Sequence, residues 1–302
     1  MKTEMPPVRS ESPAAAADAK AWEARARAFQ DQLGRVGPQP AGVASFTNRR
    51  FTVNFSAPLA QVQRLLPREI RADPLPGNPQ RGMLAMCACD FWVPRIGALP
   101  IYPIRNNDML LRVSARFAKG GRKLRAFYTV HSESSSWLLG TLGRFFSHFR
   151  KRLTRFERID DERVYSLRNQ RDGELSTGWL RAQKASITKA PPMCSRFNDI
   201  DSATDYAFRL DGSCGFDWAT RRISFQPIEY PEWDLSFCHD VAFQFPLLDT
   251  LAREFDIELE FDSVLCMENT HQTWCKSTLF TNDVAPTPWY ARRADGVGSV
   301  LD

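Results

Sequence analysis

Signatures of common enzyme classes are missing from this sequence. It contains no GxGxxG after a strand-like run, no GxxxxGK[ST], no HExxH and no GxSxG, so nucleotide, zinc-protease and α/β-hydrolase chemistries lose their usual markers. Histidine is sparse: the four, at 131, 148, 239 and 271, include no pair spaced for metal on one helix face, and neither a metal nor a cofactor is expected. The seven cysteines form no CxxC pair, and their odd number favours reduced thiols in a cytoplasmic compartment. No apolar stretch approaches ~18 residues, and no basic segment leads into an apolar one at the start, so neither membrane insertion nor secretion is expected. Charge of one sign is also short: 40 basic against 35 acidic residues leave +5, too little for a global field that draws nucleic acid or anionic membrane.

Apolar material is plentiful. With 43% hydrophobic residues, including 21 Phe and 8 Trp, the chain has enough for a continuous core, and 302 residues suit one large β-rich domain. Residues 1–44 read as a tail, an amphipathic helix and a linker. Ser12-Pro13 supplies an N-cap and first-turn pair, Trp22, Ala26, Phe29 and Leu33 form one stripe, and Pro38, Pro40 and Gly42 break the helix off. That stripe would dock on the main domain or on another copy in a homo-oligomer.

From Ser45 onward, to residue 302, the pattern is of short strands. Phe51–Phe55 alternates, Gly82–Val93 is a nearly continuous apolar run, and Met109, Leu111, Val113, Ala115 and Phe117 alternate with polar neighbours. Gly120-Gly121 marks a hairpin into Leu124–Val130. Further strands are expected over 162–168, 178–188, 221–229, 257–261, 263–268 and 272–279, with helices over 58–66, 134–149, 203–209 and 247–254. The expected class is α+β, mainly β: a large twisted antiparallel sheet curled into a barrel or sandwich, with a few packed helices.

The segment from His131 to Arg158 interleaves Arg144, Arg150, Lys151, Arg152, Arg155 and Arg158 with Phe145, Phe146, Phe149 and Phe156. It reads as a solvated helix and strand face, or as a basic patch of the kind that contacts single-stranded nucleic acid.

Several stretches carry a resemblance. Val53-Asn54-Phe55-Ser56-Ala57-Pro58-Leu59 followed by Leu65-Leu66-Pro67 resembles the opening of acetoacetate-decarboxylase-like proteins. The Asn107-Asp108 to Arg112-Val113 strand, the Ser-rich helix and the Met267-Glu268-Asn269 to Trp274 strand look closer to the YqjF-like family of that superfamily. The likeness spans roughly residues 46–280. Acetoacetate decarboxylases carry a Gly-Arg-Glu…Gly-x-Pro-Lys-Lys signature whose first lysine forms a Schiff base. Gly143 to Arg152 runs in register with it, with Phe145, His148 and Arg150 in place of Glu, Gly and Pro and with no Lys-Lys pair.

The resemblance implies Lys151 as nucleophile, Arg152 where the neighbouring cation sits, and Asp108 near an acidic residue of an earlier strand. An ordinary lysine, pKa ~10.4, is neutral in only about one molecule in 2,500 at pH 7, so a nucleophilic one needs help from burial and neighbours. The resulting expectation is lyase-type or related carbonyl chemistry on a keto or carboxylate compound. Lys151 and Asp108 are the catalytic candidates, and Arg112, Arg116, Arg144, Arg152 and His148 the substrate-binding ones. The alternative is a non-catalytic small-molecule-binding protein on the same fold.

Overall fold

Period-two alternation builds nearly the whole molecule, as a computed structural model describing residues 43–96, 99–119, 121–139, 151–217, 222–229, 233–275 and 277–279 makes clear. The N-terminal helix expected before residue 43 lies outside the described residues, as do Arg144 and His148.

Three long strands follow one another: β1 (Val43–Pro58), β4 (Asn78–Ile96) and β5 (Leu99–Lys119), with the helix α1 (Leu59–Gln63) and the two-residue strands β2 (Arg71–Ala72) and β3 (Pro74–Leu75) between the first two. A turn at Gly121, whose φ of 77° suits a residue without Cβ, leads into β6 (Arg122–Ser134). Then come β7 (Arg152–Leu153), β8 (Phe156–Asp160), β9 (Val164–Asn169), β10 (Trp179–Gln183), β11 (Ile187–Thr188), α2 (Ile200–Ala207), β12 (Gly212–Asp217) and β13 (Arg222–Glu229). The last elements are β14 (Leu235–Cys238), β15 (Val241–Gln244), α3 (Pro246–Phe255), β16 (Glu260–Trp274) and β17 (Thr278–Leu279).

The main sheet runs β16-β1-β4-β5-β6-β12-β13 and closes on itself where Ile228 and Glu229 of β13 pair with Trp274 and Thr273 of β16. Closure leaves these strands with no open edge, the liability of any flat sheet. Most pairings are antiparallel, as expected, but β12 joins β6 in parallel, and so does β7. A second antiparallel sheet, β15-β10-β9-β8, packs against the first.

Each long strand buries both faces. One face is apolar: Phe51, Val53 and Phe55 on β1, Leu84, Met86 and Ala88 on β4, Met109, Leu111 and Val113 on β5, and Tyr128 on β6 join Tyr165, Leu167 and Leu180 of the second sheet and Leu247, Leu248 and Leu251 of α3 in the principal core. The other face is unusually polar for a buried surface. It carries Arg50, Thr52 and Asn54 on β1, Asp108, Arg112 and Ser114 on β5, and Ser132 and Ser134 on β6, all buried. Part of it is covered by a smaller core around α2, with Phe197, Tyr206, Phe208 and Phe237.

Expected elements shift where tertiary pairing overrides local pattern. Ile257 and Leu259 alternate with acids as a strand would, yet 257–259 pair with no neighbour; Ile257 inserts into the core directly after α3, whose end is turned by Asp256 at φ 51°. The strands expected over 263–268 and 272–279 are largely one element, β16, because β1 runs antiparallel to it from Val43 to Ser56. The helix expected from residue 134 starts at 137, since Ser134 still belongs to β6.

Candidate functional site

The site follows from register. Across the polar face, Arg50 of β1 stands opposite Cys89 of β4, Cys89 opposite Asp108 of β5, and Asp108 opposite Ser134 of β6. Two residues along, Thr52, Cys87, Leu110 and Ser132 form the next row, and then Asn54, Ala85, Arg112 and Thr129. Paired residues of neighbouring strands project to the same side, so these rows make a continuous patch.

Lys151 enters at the end of the first row. β7, which it precedes, pairs Leu153 with Ser134, and Thr154 donates its N–H to the Ser134 carbonyl (3.0 Å). This docks the Lys151 amine on Asp108 Oδ2 as an ion pair, with the Phe91 ring centroid 5.6 Å away. Asp108 is almost fully buried, and the Lys151 side chain is 16% exposed. The amine is therefore mostly withdrawn from water and paired with a single buried acid.

Asn106 aims the carboxylate. Its Nδ2 donates to Asp108 Oδ1 at 2.5 Å, while its Oδ1 accepts from Ser134 Oγ (2.8 Å), Ser135 Oγ (3.2 Å) and the Ser136 N–H (2.8 Å). Ser136 Oγ in turn accepts from the Leu139 N–H at 3.2 Å, the cap expected of this serine cluster. One buried amide thus ties the strand end, the serine turn and the acid together.

Arg50 and Arg112 are the other charged members of the patch. Arg50 Nε donates to Cys89 Sγ at 3.2 Å; Arg112 Nη2 donates to Thr52 Oγ1 at 3.4 Å and its guanidinium lies 3.6 Å from the Phe127 ring centroid. Arg112 Nε is buried with no hydrogen-bond partner. Burial, the leading cause, lowers the Arg112 guanidinium to about 10, and the nearby Arg50 charge adds to the lowering. Burial likewise pushes the Cys89 thiol up to about 11, although Arg50 opposes it. At neutral pH the arginines are cationic and this thiol is neutral.

The sequence-derived candidates therefore separate. Asp108, Lys151 and Arg112 come together on one face. Arg116 is exposed, four residues and ~13 Å beyond Arg112 along β5 and paired with Arg125 and Arg71 of neighbouring strands, so it is not part of this patch. Arg152 pairs in register with Glu133, on the opposite face of β6 from Ser134, because successive residues of a strand alternate. Arg50 and Asn106 escaped sequence reading. A signal for Arg50 was present: polar residues at 50, 52, 54 and 56 alternate with Phe51, Val53, Phe55 and Ala57, and only burial of both faces distinguishes that from an ordinary solvated side.

Two other polar clusters lie on the apolar side. Asp90 accepts from Arg158 (2.5 Å) and Asn48 (3.0 Å), Asp160 pairs with Arg49 and with Lys184 (2.7 Å), and Arg49 also holds Glu268 (2.7 Å). Buried Glu133 accepts from Thr177 Oγ1 (2.7 Å), the Thr177 N–H (3.2 Å) and Asn169, and faces His131 Nε2 at 3.6 Å. Both clusters join the main sheet to the second sheet and its loops, with every strong acid matched by donors.

No family model matches the sequence, and no curated protein does. Solved structures do match in shape. Acetoacetate decarboxylase from Legionella pneumophila superposes with a TM-score of 0.54 at 11% identity, covering 80% of this chain and 88% of that one. The enduracididine biosynthesis enzyme MppR, in its complex with pyruvate, gives 0.52 at 10%, covering 81% and 92%. An acetoacetate decarboxylase-like enzyme from Sphingomonas wittichii gives 0.52 at 10%, covering 80% and 94%. Identities this low speak to fold alone, and in fold this chain is acetoacetate-decarboxylase-like.

Proposed function

We propose that this chain is a small-molecule enzyme that forms an imine between Lys151 and the ketone of an organic acid, in lyase-type or related carbonyl chemistry. The observation that carries this reading is the Lys151–Asp108 contact: a largely buried amine on a buried acid, beside two buried guanidiniums. The Lys151 amine, its extra proton passed to Asp108, would attack the ketone carbon, forming one C–N bond. The carbonyl oxygen leaves as water, taking both amine hydrogens in the net reaction. Asp108 is in contact with the nitrogen and is the group able to accept and return its proton, and Asn106 fixes that acid's orientation. Arg50 and Arg112 supply the donors for the substrate's anionic end. The fold, shared with MppR in its pyruvate complex, is compatible with such a ligand. The order of sequence motifs supports a place near the YqjF-like branch of the superfamily.

Borohydride reduction in the presence of a panel of keto acids and ketones, followed by peptide mass spectrometry, tests the assignment. A reduced adduct is expected on Lys151 and is expected to vanish in Lys151→Ala. Failure to trap any compound on the folded protein would retire Lys151 as a nucleophile and leave a binding protein on the same fold.

A further inference from the structure

The charges on the polar face do not balance. Lys151 and Asp108 satisfy each other, and among the described residues no Asp or Glu forms an ion pair with Arg50 or Arg112. Three cations against one carboxylate leave a surplus of two positive charges on side chains that are at least nine-tenths buried in the case of Arg50, Arg112 and Asp108. Cys87 and Cys89 stand between them, and burial keeps the Cys89 thiol neutral. Elsewhere in this molecule buried cations are matched: Arg158 has Asp90 and Asp160, and Arg49 has Asp160 and Glu268. An uncompensated buried charge is expensive, and two adjacent ones more so.

The two guanidiniums contact adjacent rows of this face. Arg50 reaches Cys89, Arg112 reaches back to Thr52, and Thr52 Oγ1 contacts Cys87 Sγ at 3.4 Å. Arg112 Nε, buried and unpartnered, is a donor still waiting for an acceptor. A monocarboxylate would match only one of the two surplus charges.

We propose that the ligand of this face is a dianion, a small oxo-dicarboxylate with one carboxylate on Arg50 near Lys151 and the second on Arg112. The inference rests on the imine reading only for where the ketone lies; the demand for two negative charges comes from the unpaired arginines. Each carboxylate met by a buried guanidinium contributes a charge-assisted pair, so deleting one carboxylate from the ligand is expected to weaken binding on the order of tenfold to a hundredfold.

Calorimetric titration of the full chain with 2-oxoglutarate and with 2-oxopentanoate provides the test. The two share five carbons and the ketone and differ in the second carboxylate. A preference for 2-oxoglutarate of about tenfold or more is expected, and Arg112→Met is expected to erase it by weakening 2-oxoglutarate more than 2-oxopentanoate. The ligand comparison is read on the unaltered chain, so the result stands even where the variant folds poorly. Equal affinity for the two acids, binding of neither, or a folded Arg112→Met variant that weakens both alike would overturn the inference. Borohydride added to the same samples separates the two proposals: a diacid preference without an adduct sinks the imine and keeps the dianion, whereas adducts formed equally with both acids do the reverse.

Discussion

Asn106 and Glu133 show what a single buried polar residue does in this protein. Asn106 lies within β5 and Glu133 near the end of β6, and each gathers hydrogen bonds from a neighbouring turn, so a buried backbone segment stays satisfied. For Glu133, burial raises the carboxyl, but His131 and Thr177 outweigh it and hold the carboxyl below its ordinary value. A carboxyl depressed in the folded state contributes stability above its unfolded value, near pH ~4.3, and that contribution is lost as pH falls through the folded value. Glu133→Gln is therefore expected to be less stable than the parent at pH 7. The gap should narrow steadily below about pH 4.3, as read from urea midpoints across pH; a gap that stays constant with pH would contradict the assigned role.

At the scale of elements, the join between the second sheet and α3 is the tightest point. Gly178 precedes β10 at φ 78°, and a Cβ there would stand 1.8 Å from the Gln244 carbonyl oxygen and 2.8 Å from Pro246 Cδ, the first residue of α3. Gly178→Ala combines a backbone clash with an unfavourable φ, and a loss of about 3 kcal/mol or more is expected in chemical denaturation. A loss under about 1 kcal/mol would mean that β15 and α3 move apart freely. The helices α2 and α3 were legible as elements, although α2 begins three residues ahead of the expected 203–209, where Asp199 and Ser202 form a reciprocal capping box, and Pro246 opens α3 ahead of buried Leu247, Leu248, Leu251 and Phe255. The short strands β8, β14 and β15 were not. Four or five residues carry too little alternation to stand out, and partners distant in sequence define them.

At the scale of the whole molecule, the charged cluster of Arg49, Asp90, Arg158, Asp160 and Lys184 clasps the second sheet to the main one. Asp160 receives Arg49 from β1 together with Lys184 and Arg158 (3.2 Å), so Asp160→Ala strands cations in a largely buried place. Removing one partner of a buried pair is expected to destabilise by about 3–5 kcal/mol, and differential scanning calorimetry reads the shift. A melting temperature within about 2 °C of the parent would show that the sheets hold together without the clasp.

The sequence by itself determined the mainly β class, the central parts of β1, β4 and β5 and the Gly120-Gly121 hairpin, because period-two patterning, apolar runs and turn chemistry act between near neighbours in the chain. It also singled out Lys151, Asp108 and Arg112 through residue type and motif order. Tertiary structure alone decided that both faces of those strands are buried, that β13 closes onto β16, and that Arg50 and Asn106 belong beside Asp108 while Arg116 does not. These are matters of register between segments more than two hundred residues apart in sequence: Asn54 lies beside Ser263, 209 positions on. Alternation marks which residues share a side, but the chain must close before that side becomes a buried polar face on which, among the described residues, no acid pairs with Arg50 or Arg112.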